Sequence, residues 1–249
     1  MNKNIVSLKN VSLTLDSKKP VLNNISLFLE AHHSLTLIGH NGAGKSSLLK
    51  LLVGDLHPDQ GVVQLLGQNI SKEMDKDTLR KLRSQIGFIH QGLHLVGRKS
   101  VLENVLMGRL AHNQSVKTWF NIFNSADYDI AYEALKDVKL QDKAMLRADH
   151  LSGGERQKTA IARALAQSPA LILADEPTAA LDPRASHEVA GLLKNLVEEK
   201  HLALITVVHS LELLDKISER LVVMKKGEIL FDGNQKNITP DIFKTFYQE

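Results

Sequence analysis

A glycine-rich segment at residues 39–46 fits the pattern G-x-x-x-x-G-K-[ST], which binds phosphate groups. An apolar stretch before it predicts a buried strand, and a leucine-rich stretch after it predicts a helix. Glycines let successive backbone N–H groups face one concavity, and the helix N-terminus adds partial positive charge. Lys45 could then contact the β- and γ-phosphates, and the Ser46 hydroxyl could bind Mg²⁺. Unless this is an ordinary glycine-rich turn beside an exposed lysine, the phosphate contacts are Gly39, Asn41, Gly42, Ala43, Gly44, Lys45, Ser46 and Ser47.

Two adjacent carboxylates, Asp175 and Glu176, follow an apolar stretch at residues 171–174 that predicts a buried strand. In open α/β sheets, ligands bind at the carboxyl ends of the strands. There Asp175 could hold Mg²⁺, directly or through water, and Glu176 could polarise a water for attack on a γ-phosphate. Because neighbouring side chains on a strand point in opposite directions, the strand must end at Asp175 for both to serve one site. Pro177 favours such an end, and a pair of solvated carboxylates is the alternative.

A third segment, residues 151–157, combines a helix cap with two glycines. Ser152 and Glu155 fit a capping box that opens a helix predicted over residues 156–166. Gly153 and Gly154 are not needed for the cap and lower the helix propensity, but they leave the helix N-terminus bare for an anion. We therefore interpret the segment as a second phosphate contact, distinct from the first.

The composition of the 249 residues is that of a globular protein, with 43% hydrophobic and 24% charged residues. No apolar run approaches the roughly 18 residues that span a bilayer, and the first residues lack the apolar core of a signal peptide. The chain has no cysteine, which excludes disulfides and thiolate metal sites. A net charge of +3 is too small to indicate nucleic-acid binding. We expect a cytosolic protein that binds no nucleic acid, with membrane docking through a partner left open.

The order of these patterns predicts an α/β protein interrupted by a helical segment. Partial apolar alternation predicts strands near the N-terminus, and continuous apolar runs typical of buried parallel strands return after Pro169. Between them, apolar residues recur at helical spacing over residues 130–138. We therefore predict a nucleotide-binding α/β lobe from residues 1–91 and 168–249, and a helical subdomain from residues 92–167.

The serine-glycine-glycine segment lies between a phosphate loop and an apolar strand ending in Asp-Glu, a combination that closely resembles the ATP-binding cassette (ABC) ATPases. The resemblance covers almost the whole chain. It implies an α/β P-loop NTPase core of ABC type, with an N-terminal antiparallel β subdomain and a helical insertion. It also implies ATP and Mg²⁺ as cofactors.

The same resemblance assigns roles to individual residues. Gln91 matches the Q-loop glutamine, residues 180–182 match the D-loop, and His209 matches the switch histidine. The implied catalytic residues are Glu176, as general base, with His209 and Gln91. The implied metal ligands are Ser46, Gln91 and Asp175. The remaining implied nucleotide contacts are Ser152, Gly153, Gly154, Gln157 and Asp182.

The mechanism implied by the resemblance needs a second copy of the chain. Two cassettes would pair head to tail, with each ATP between the phosphate loop of one copy and the Ser152–Gly154 segment of the other. Binding of ATP would close the pair, and hydrolysis would release it. The pair would sit peripherally on the cytoplasmic face of the inner membrane, and Gln91 would relay to a permease.

A finer resemblance, to the ATPase subunits of phosphonate importers, rests on residues 86–96, 100–110 and 147–149. It implies uptake of a phosphonate or a related phosphorus oxyanion, delivered by a solute-binding protein. One alternative is an ABC ATPase that transports nothing and regulates a membrane or division complex. Relatives that act in DNA repair or on ribosomes usually carry a long coiled coil or two cassettes in one chain. A P-loop kinase or GTPase would leave residues 151–157 unexplained.

Aromatic residues are few, and their positions leave two questions. Trp119, Phe120 and Phe123 form either a small core or a contact patch. The ABC family usually places an aromatic residue near the end of the first hairpin, where it stacks on adenine, whereas this chain has Leu15 about there. Stacking of a base on an aromatic ring is worth roughly 1–3 kcal/mol in single-strand binders. We therefore expect weaker or less base-selective nucleotide binding.

Overall fold

Two β-sheets organise the protein in a computed structural model that describes residues 4–15, 19–112, 123–208, 211–218 and 220–238. Within these ranges one sheet has four strands and the other has six. The strands are β1 (Asn4–Thr14), β2 (Pro20–Glu30), β3 (Ser34–Gly39), β4 (Gln60–Leu65), β5 (Gln68–Asn69), β6 (Ile86–Ile89), β7 (Leu171–Asp175), β8 (Ala203–Val207), β9 (Arg220–Lys225) and β10 (Glu228–Asn234).

The six-stranded sheet has the order β10-β9-β3-β8-β7-β6, and its neighbouring strands are parallel except for the antiparallel pair β9–β10. The apolar run of β8 is buried throughout, as expected for a parallel strand covered on both faces. Leu171 and Leu173 pack into one core cluster, whereas Ile172 and Ala174 pack into another on the opposite face. Because β3, β7 and β8 are parallel, their carboxyl ends meet at one edge of the sheet.

The four-stranded sheet has the order β2-β1-β4-β5, and its strand pairs are antiparallel. Its apolar side chains share a core with the helix that follows the phosphate loop and with one face of the larger sheet. The start of β2 lies close to the phosphate loop, since a Cβ on Gly44 would come within 2.7 Å of the Val21 carbonyl oxygen. The α/β class with an N-terminal antiparallel β portion is therefore confirmed.

The α-helices described are α1 (Lys45–Leu52), α2 (Lys76–Arg83), α3 (Val101–Leu106), α4 (Ser125–Asp137), α5 (Gly153–Ala166) and α6 (Pro183–Lys200). Residues 130–138 form the predicted stripe on and just after α4, where Ala131, Ala134 and Leu135 are buried. They pack with α3 and α5 into the core cluster that covers one face of the larger sheet. None of the helices in the described part of the chain is long and apolar enough to cross a membrane.

Some sequence predictions lie outside the described residues. These include Trp119, Phe120 and His209. Phe123 is described, and it packs against the core cluster around α4 as a partly buried side chain. The core interpretation therefore holds for Phe123.

Candidate functional site

The phosphate loop joins β3 to α1, and glycines are required at two of its turns. Gly42 and Gly44 have φ angles of 80° and 101°, in the left-handed region that side-chain-bearing residues rarely adopt. Gly44 is also the N-cap of α1, which has neither a side-chain cap nor an acidic residue in its first turn. The first N–H groups of α1 are therefore open to an anion from outside the helix.

Lys45 is folded back into its own loop. Its ammonium group donates to the carbonyl oxygens of Gly39, at 2.6 Å, and His40, at 3.0 Å, and the residue is only 5% exposed. Burial lowers the pKa of Lys45, whereas the charges of Glu176 and Asp175 raise it. The predicted contact with phosphate thus requires Lys45 to exchange these carbonyl partners for phosphate oxygens.

The two carboxylates stand at the end of β7, as the sequence required. The strand ends at Asp175, and Glu176 turns away from the strand direction with a φ of 53°. The Glu176 N–H donates to the Val207 carbonyl at 3.1 Å, which holds this left-handed turn against the neighbouring strand. The prediction that the strand ends between the two residues is confirmed.

Side chains from three elements meet at these carboxylates. The Ser46 hydroxyl donates to Asp175 Oδ1 at 3.4 Å. The Gln91 amide nitrogen donates to Glu176 Oε2 at 2.8 Å. The structure therefore brings Ser46, Gln91, Asp175 and Glu176 together beside Lys45, although they are far apart in the sequence.

The electrostatics of this edge favour a positive ligand next to Asp175. Burial raises the pKa of Asp175, and the negative charge of Glu176 raises it further. The hydrogen bond from Ser46 and the charge of Lys45 act in the opposite direction. Two carboxylates beside one buried lysine form an oxygen-rich site in which a divalent cation would relieve their repulsion.

The segment that begins α5 has the capping box expected from the sequence. The Ser152 N–H donates to Glu155 Oε2 at 3.0 Å, and the Glu155 N–H donates to the Ser152 hydroxyl at 3.3 Å. The helix begins at Gly153, three residues before the predicted start, because the cap residue itself is Ser152. The two glycines also have a packing role, since a Cβ on Gly154 would approach Ala185 within 3.2 Å.

Gln157 and Asp182, which were also predicted to contact the nucleotide, lie in different environments. Gln157 is 3% exposed, and its amide nitrogen has no hydrogen-bond partner among the described residues. Asp182 caps α6, where it accepts a hydrogen bond from the Ala185 N–H at 3.0 Å and precedes Pro183 at the first helical position. Neither residue contacts the group around Lys45.

A groove of about 460 Å³, which sequence reasoning missed, lies next to Gln91. Its floor includes Phe88, His90 and His94, and the rings of Phe88 and His90 stack at 4.2 Å. Arg163 of α5 also lines it and donates to the carbonyls of Leu93 and His94. No local sequence pattern around Arg163 predicts these hydrogen bonds, because their acceptors lie about seventy positions earlier in the chain.

The comparison with known sequences gives one consistent result. The model of the ABC transporter family matches residues 22–179. A phosphonates import ATP-binding protein, PhnC of Lactobacillus gasseri, is 41% identical over 246 residues, covering 99% of this chain and 94% of its own. PhnC of Bdellovibrio bacteriovorus is 40% identical over 245 residues, covering 98% of this chain and 94% of its own.

The comparison with solved structures agrees. The ATP-binding cassette MJ0796, solved as a dimer in a post-hydrolysis state with ADP and Pi, has a TM-score of 0.80 at 30% identity. The match covers 94% of this chain and 100% of that one. The cbiO1 protein of Clostridium perfringens, described as part of the ABC transporter complex cbiONQ, has a TM-score of 0.84 at 25% identity, with 98% and 92% coverage.

The fold and the loop define a P-loop nucleotide-binding protein, because the phosphate loop joins a buried strand to a helix at the carboxyl edge of a parallel sheet. The chain belongs to the ABC transporter family, in which it is an ATP-binding ATPase.

Proposed function

We propose that the protein is the ATP-hydrolysing subunit of an ABC import system that takes up a phosphonate or a related phosphorus oxyanion. The relatives named PhnC support the import assignment, because they match nearly the whole chain at about 40% identity. The observation that carries the proposal is the pair of contacts from Ser46 to Asp175 and from Gln91 to Glu176. They gather side chains suited to phosphate-bond hydrolysis beside the phosphate loop.

Glu176 is our general base for the water that attacks the γ-phosphate. Its carboxylate lies at the loop edge and accepts a hydrogen bond from Gln91, which would orient it until the nucleotide is in place. Lys45 would then stabilise the phosphate oxygens, with the loop N–H groups around it. His209, just past β8, would complete the site next to the γ-phosphate.

Ser46, Asp175 and Gln91 fit Mg²⁺, which prefers oxygen ligands. The Ser46 hydroxyl and a carboxylate oxygen of Asp175 already lie 3.4 Å apart. Burial raises the pKa of Asp175, so a cation bound there would stabilise its charged form. Because Gln91 presents its amide nitrogen to Glu176, its carbonyl oxygen is the atom it would offer to the ion. When bound, Mg²⁺ would neutralise charge on the phosphates.

The other half of the nucleotide site comes, in our proposal, from a second copy of the chain. Ser152 is exposed at the N-terminus of α5, and Leu181 and Ala185 rather than the phosphate loop surround the glycines that follow it. The Ser152–Gly154 segment would contact the nucleotide held by the partner. Gln157 and Asp182 would contribute to the same half of the site. The dimeric structure of the related cassette MJ0796 supports this arrangement.

The membrane partner in this proposal is a permease that docks at the groove beside Gln91, on the cytoplasmic face of the inner membrane. The groove lies between the α/β lobe (residues 1–91 and 168–249) and the helical subdomain (residues 92–167), which are the two parts we propose. A solute-binding protein would deliver the solute to the permease. The alternative is a cassette that regulates a membrane or division complex without transport.

The decisive test uses Glu176→Gln, which keeps the size of the side chain but cannot accept a proton. We expect it to bind ATP, to lose turnover, and to accumulate as a closed dimer with Mg-ATP. Glu199→Gln, an exposed change on α6, is the matched control and should behave like the wild type. Near wild-type hydrolysis by Glu176→Gln would overturn the assignment of the base.

The transport claim is tested by capture of tagged Glu176→Gln from membranes with Mg-ATP. A multi-spanning permease and a solute-binding protein that retains phosphonate would support the full proposal. A binding protein that retains another solute would keep the importer and replace the substrate. Recovery of a division protein without a permease would overturn the transport claim and leave the ATPase chemistry standing.

A further inference from the structure

The chain between β6 and α3 carries a local strain close to Gln91. Leu93 and His94, neither of them glycine, have φ angles of 56° and 49°. Residues with side chains rarely adopt the left-handed region and persist there only when their surroundings hold them. The segment supplies two turn hydrogen bonds of its own, from the Leu93 N–H to the His90 carbonyl and from the His94 N–H to the Gly92 carbonyl. A side chain from another element holds the carbonyls of Leu93 and His94.

Arg163 is the side chain that holds them. Its guanidinium donates to the His94 carbonyl at 2.7 Å and, through its other terminal nitrogen, to the Leu93 carbonyl. Burial lowers the pKa of Arg163, and no carboxylate in the described part of the chain lies within ion-pair distance of it. The positive charge is thus satisfied by two consecutive backbone carbonyls, each accepting from a different terminal nitrogen of the planar guanidinium.

A second contact fixes the chain just beyond the strained pair. Asn104, which is fully buried, accepts from the Val96 N–H at 2.8 Å and donates to the Val96 carbonyl at 3.1 Å. The carbonyls of Leu93 and His94 and both backbone groups of Val96 are therefore tied to α3 and α5. Between these ties and Ile89, the last residue of β6, only a short stretch that includes Gln91 is left to adjust.

Arg163 also lies on the helix that begins at the serine-glycine-glycine segment. Gly153 and Arg163 lie ten positions apart on one continuous α-helix, a distance of about 15 Å at 1.5 Å per residue. A helix of this length moves as a rigid element, so a displacement of its N-terminus also moves the guanidinium. The carbonyls of Leu93 and His94 would follow, and with them Gln91 and its contact with Glu176.

We propose that Arg163 is a positioning residue that couples the placement of α5 to the placement of Gln91 against Glu176. This inference rests on the proposed function in one respect, namely that Gln91 and Glu176 act in hydrolysis. When the nucleotide of a second copy docks on Ser152 and Gly153, the shift of α5 pulls on the strained pair through Arg163. The glutamine is then repositioned at the site of its own copy.

The test is a double-mutant cycle between Arg163 and Gln91. Arg163→Gln removes the fork and the charge, and we expect kcat to fall by about ten- to a hundredfold, the value of one or two charge-assisted hydrogen bonds. Binding of a fluorescent ATP analogue should change less than about threefold, because the phosphate loop is untouched. In a Gln91→Ala background, the same change should have almost no further effect on kcat.

Three controls keep the result interpretable. Arg163→Lys keeps the charge and the stem but not the fork, so it should recover folding and only part of kcat. Arg80→Gln, an exposed change on α2, should leave activity unchanged. Without nucleotide, hydrogen exchange at residues 92–97 should be faster in both Arg163 variants than in the wild type.

The outcomes separate this inference from the proposed function. If Gln91→Ala leaves kcat unchanged, the role of Gln91 in the proposed function is wrong. If Gln91→Ala lowers kcat and Arg163→Gln multiplies that loss independently, Arg163 does not act through Gln91 and the inference is overturned. Full activity of Arg163→Lys, with unchanged hydrogen exchange, would overturn it as well.

Discussion

The phosphate-loop edge and the start of α5 both present N–H groups to an anion, but they differ in what surrounds them. At the loop, Lys45 and Ser46 of α1 converge with Asp175 of β7 in one charged site, in which Lys45 is buried. At the start of α5, Ser152 caps its own helix, and Gly153 faces Leu181. The first region combines the loop with charged groups from different elements, whereas the second is a helix end whose charged pair, Glu155 with Lys143, is engaged in the cap.

This difference indicates which part of the nucleotide site each copy of the chain would provide. The N–H groups of the loop and a buried lysine can bind the phosphates of a nucleotide within a single copy. A capped helix N-terminus offers only a few N–H groups and a partial charge, which are useful once an anion is delivered to it. The predictions below therefore separate binding, which belongs to the loop, from turnover, which needs both regions.

The largest effect is expected at the loop. Lys45→Ala removes the charge that faces the phosphates, so we expect nucleotide affinity to fall by about a hundredfold or more and turnover to be lost. Titration with a fluorescent ATP analogue measures this directly. Lys50→Ala, an exposed change on the same helix, is the control. Wild-type affinity in Lys45→Ala would mean that the loop does not hold the nucleotide.

The next effect is expected at the start of α5. Gly153→Asp places a negative charge at the first position of the helix, where it suits the helix dipole but repels a phosphate. A Cβ there meets only Leu181, at 3.4 Å, so the fold should be retained. We expect binding within about twofold of the wild type and turnover lowered by about a hundredfold. Gly191→Asp, where a Cβ meets nothing within 4 Å, is the control.

A mixture of Lys45→Ala and Gly153→Asp tests the two-copy arrangement itself. Half of the dimers would be mixed, and each would contain one site with a normal loop and a normal α5 start. Two inactive variants should therefore regain about a quarter of the wild-type activity when mixed. No recovery, with dimers demonstrated by light scattering, would place both regions in the same copy.

The extent to which the sequence predicted these two regions depends on the range of the interactions. Local rules were sufficient for the glycine-dependent turn at Gly44 and for the cap at Ser152, because each involves residues within a few positions. The left-handed Glu176 was not predictable in this way, since the N–H···O bond to Val207 joins strands that are neighbours only in the folded sheet. The burial of Gln157 was not predicted, because the family resemblance implied only a nucleotide contact for this residue.

A smaller effect concerns the stability of the α5 start. The hydrogen bond from Lys143, followed by that from the Ser152 backbone, lowers the pKa of Glu155 below its usual value of 4.5. A group with a lowered pKa stabilises the fold above that value, and the contribution is lost as pH falls through the lowered pKa. Glu155→Gln should therefore cost about 1 kcal/mol of unfolding free energy at pH 7 and progressively less below about pH 4. Urea denaturation at several pH values measures this, and a constant difference across that range would contradict it.

The smallest effect is expected where the base would lie. Leu15 follows β1, is 40% exposed and offers no ring for stacking, so binding should rest on the phosphate contacts and differ little between ATP and GTP. Leu15→Tyr adds an aromatic platform, which we expect to raise the affinity for ATP by about fivefold, near the low end of stacking energies. Val62→Tyr, an exposed apolar position on β4, is the control. Strong ATP preference in the wild type would contradict this expectation. Recognition of the base would then come from other residues, and the phosphate contacts of the loop would account for less of the binding free energy than we expect.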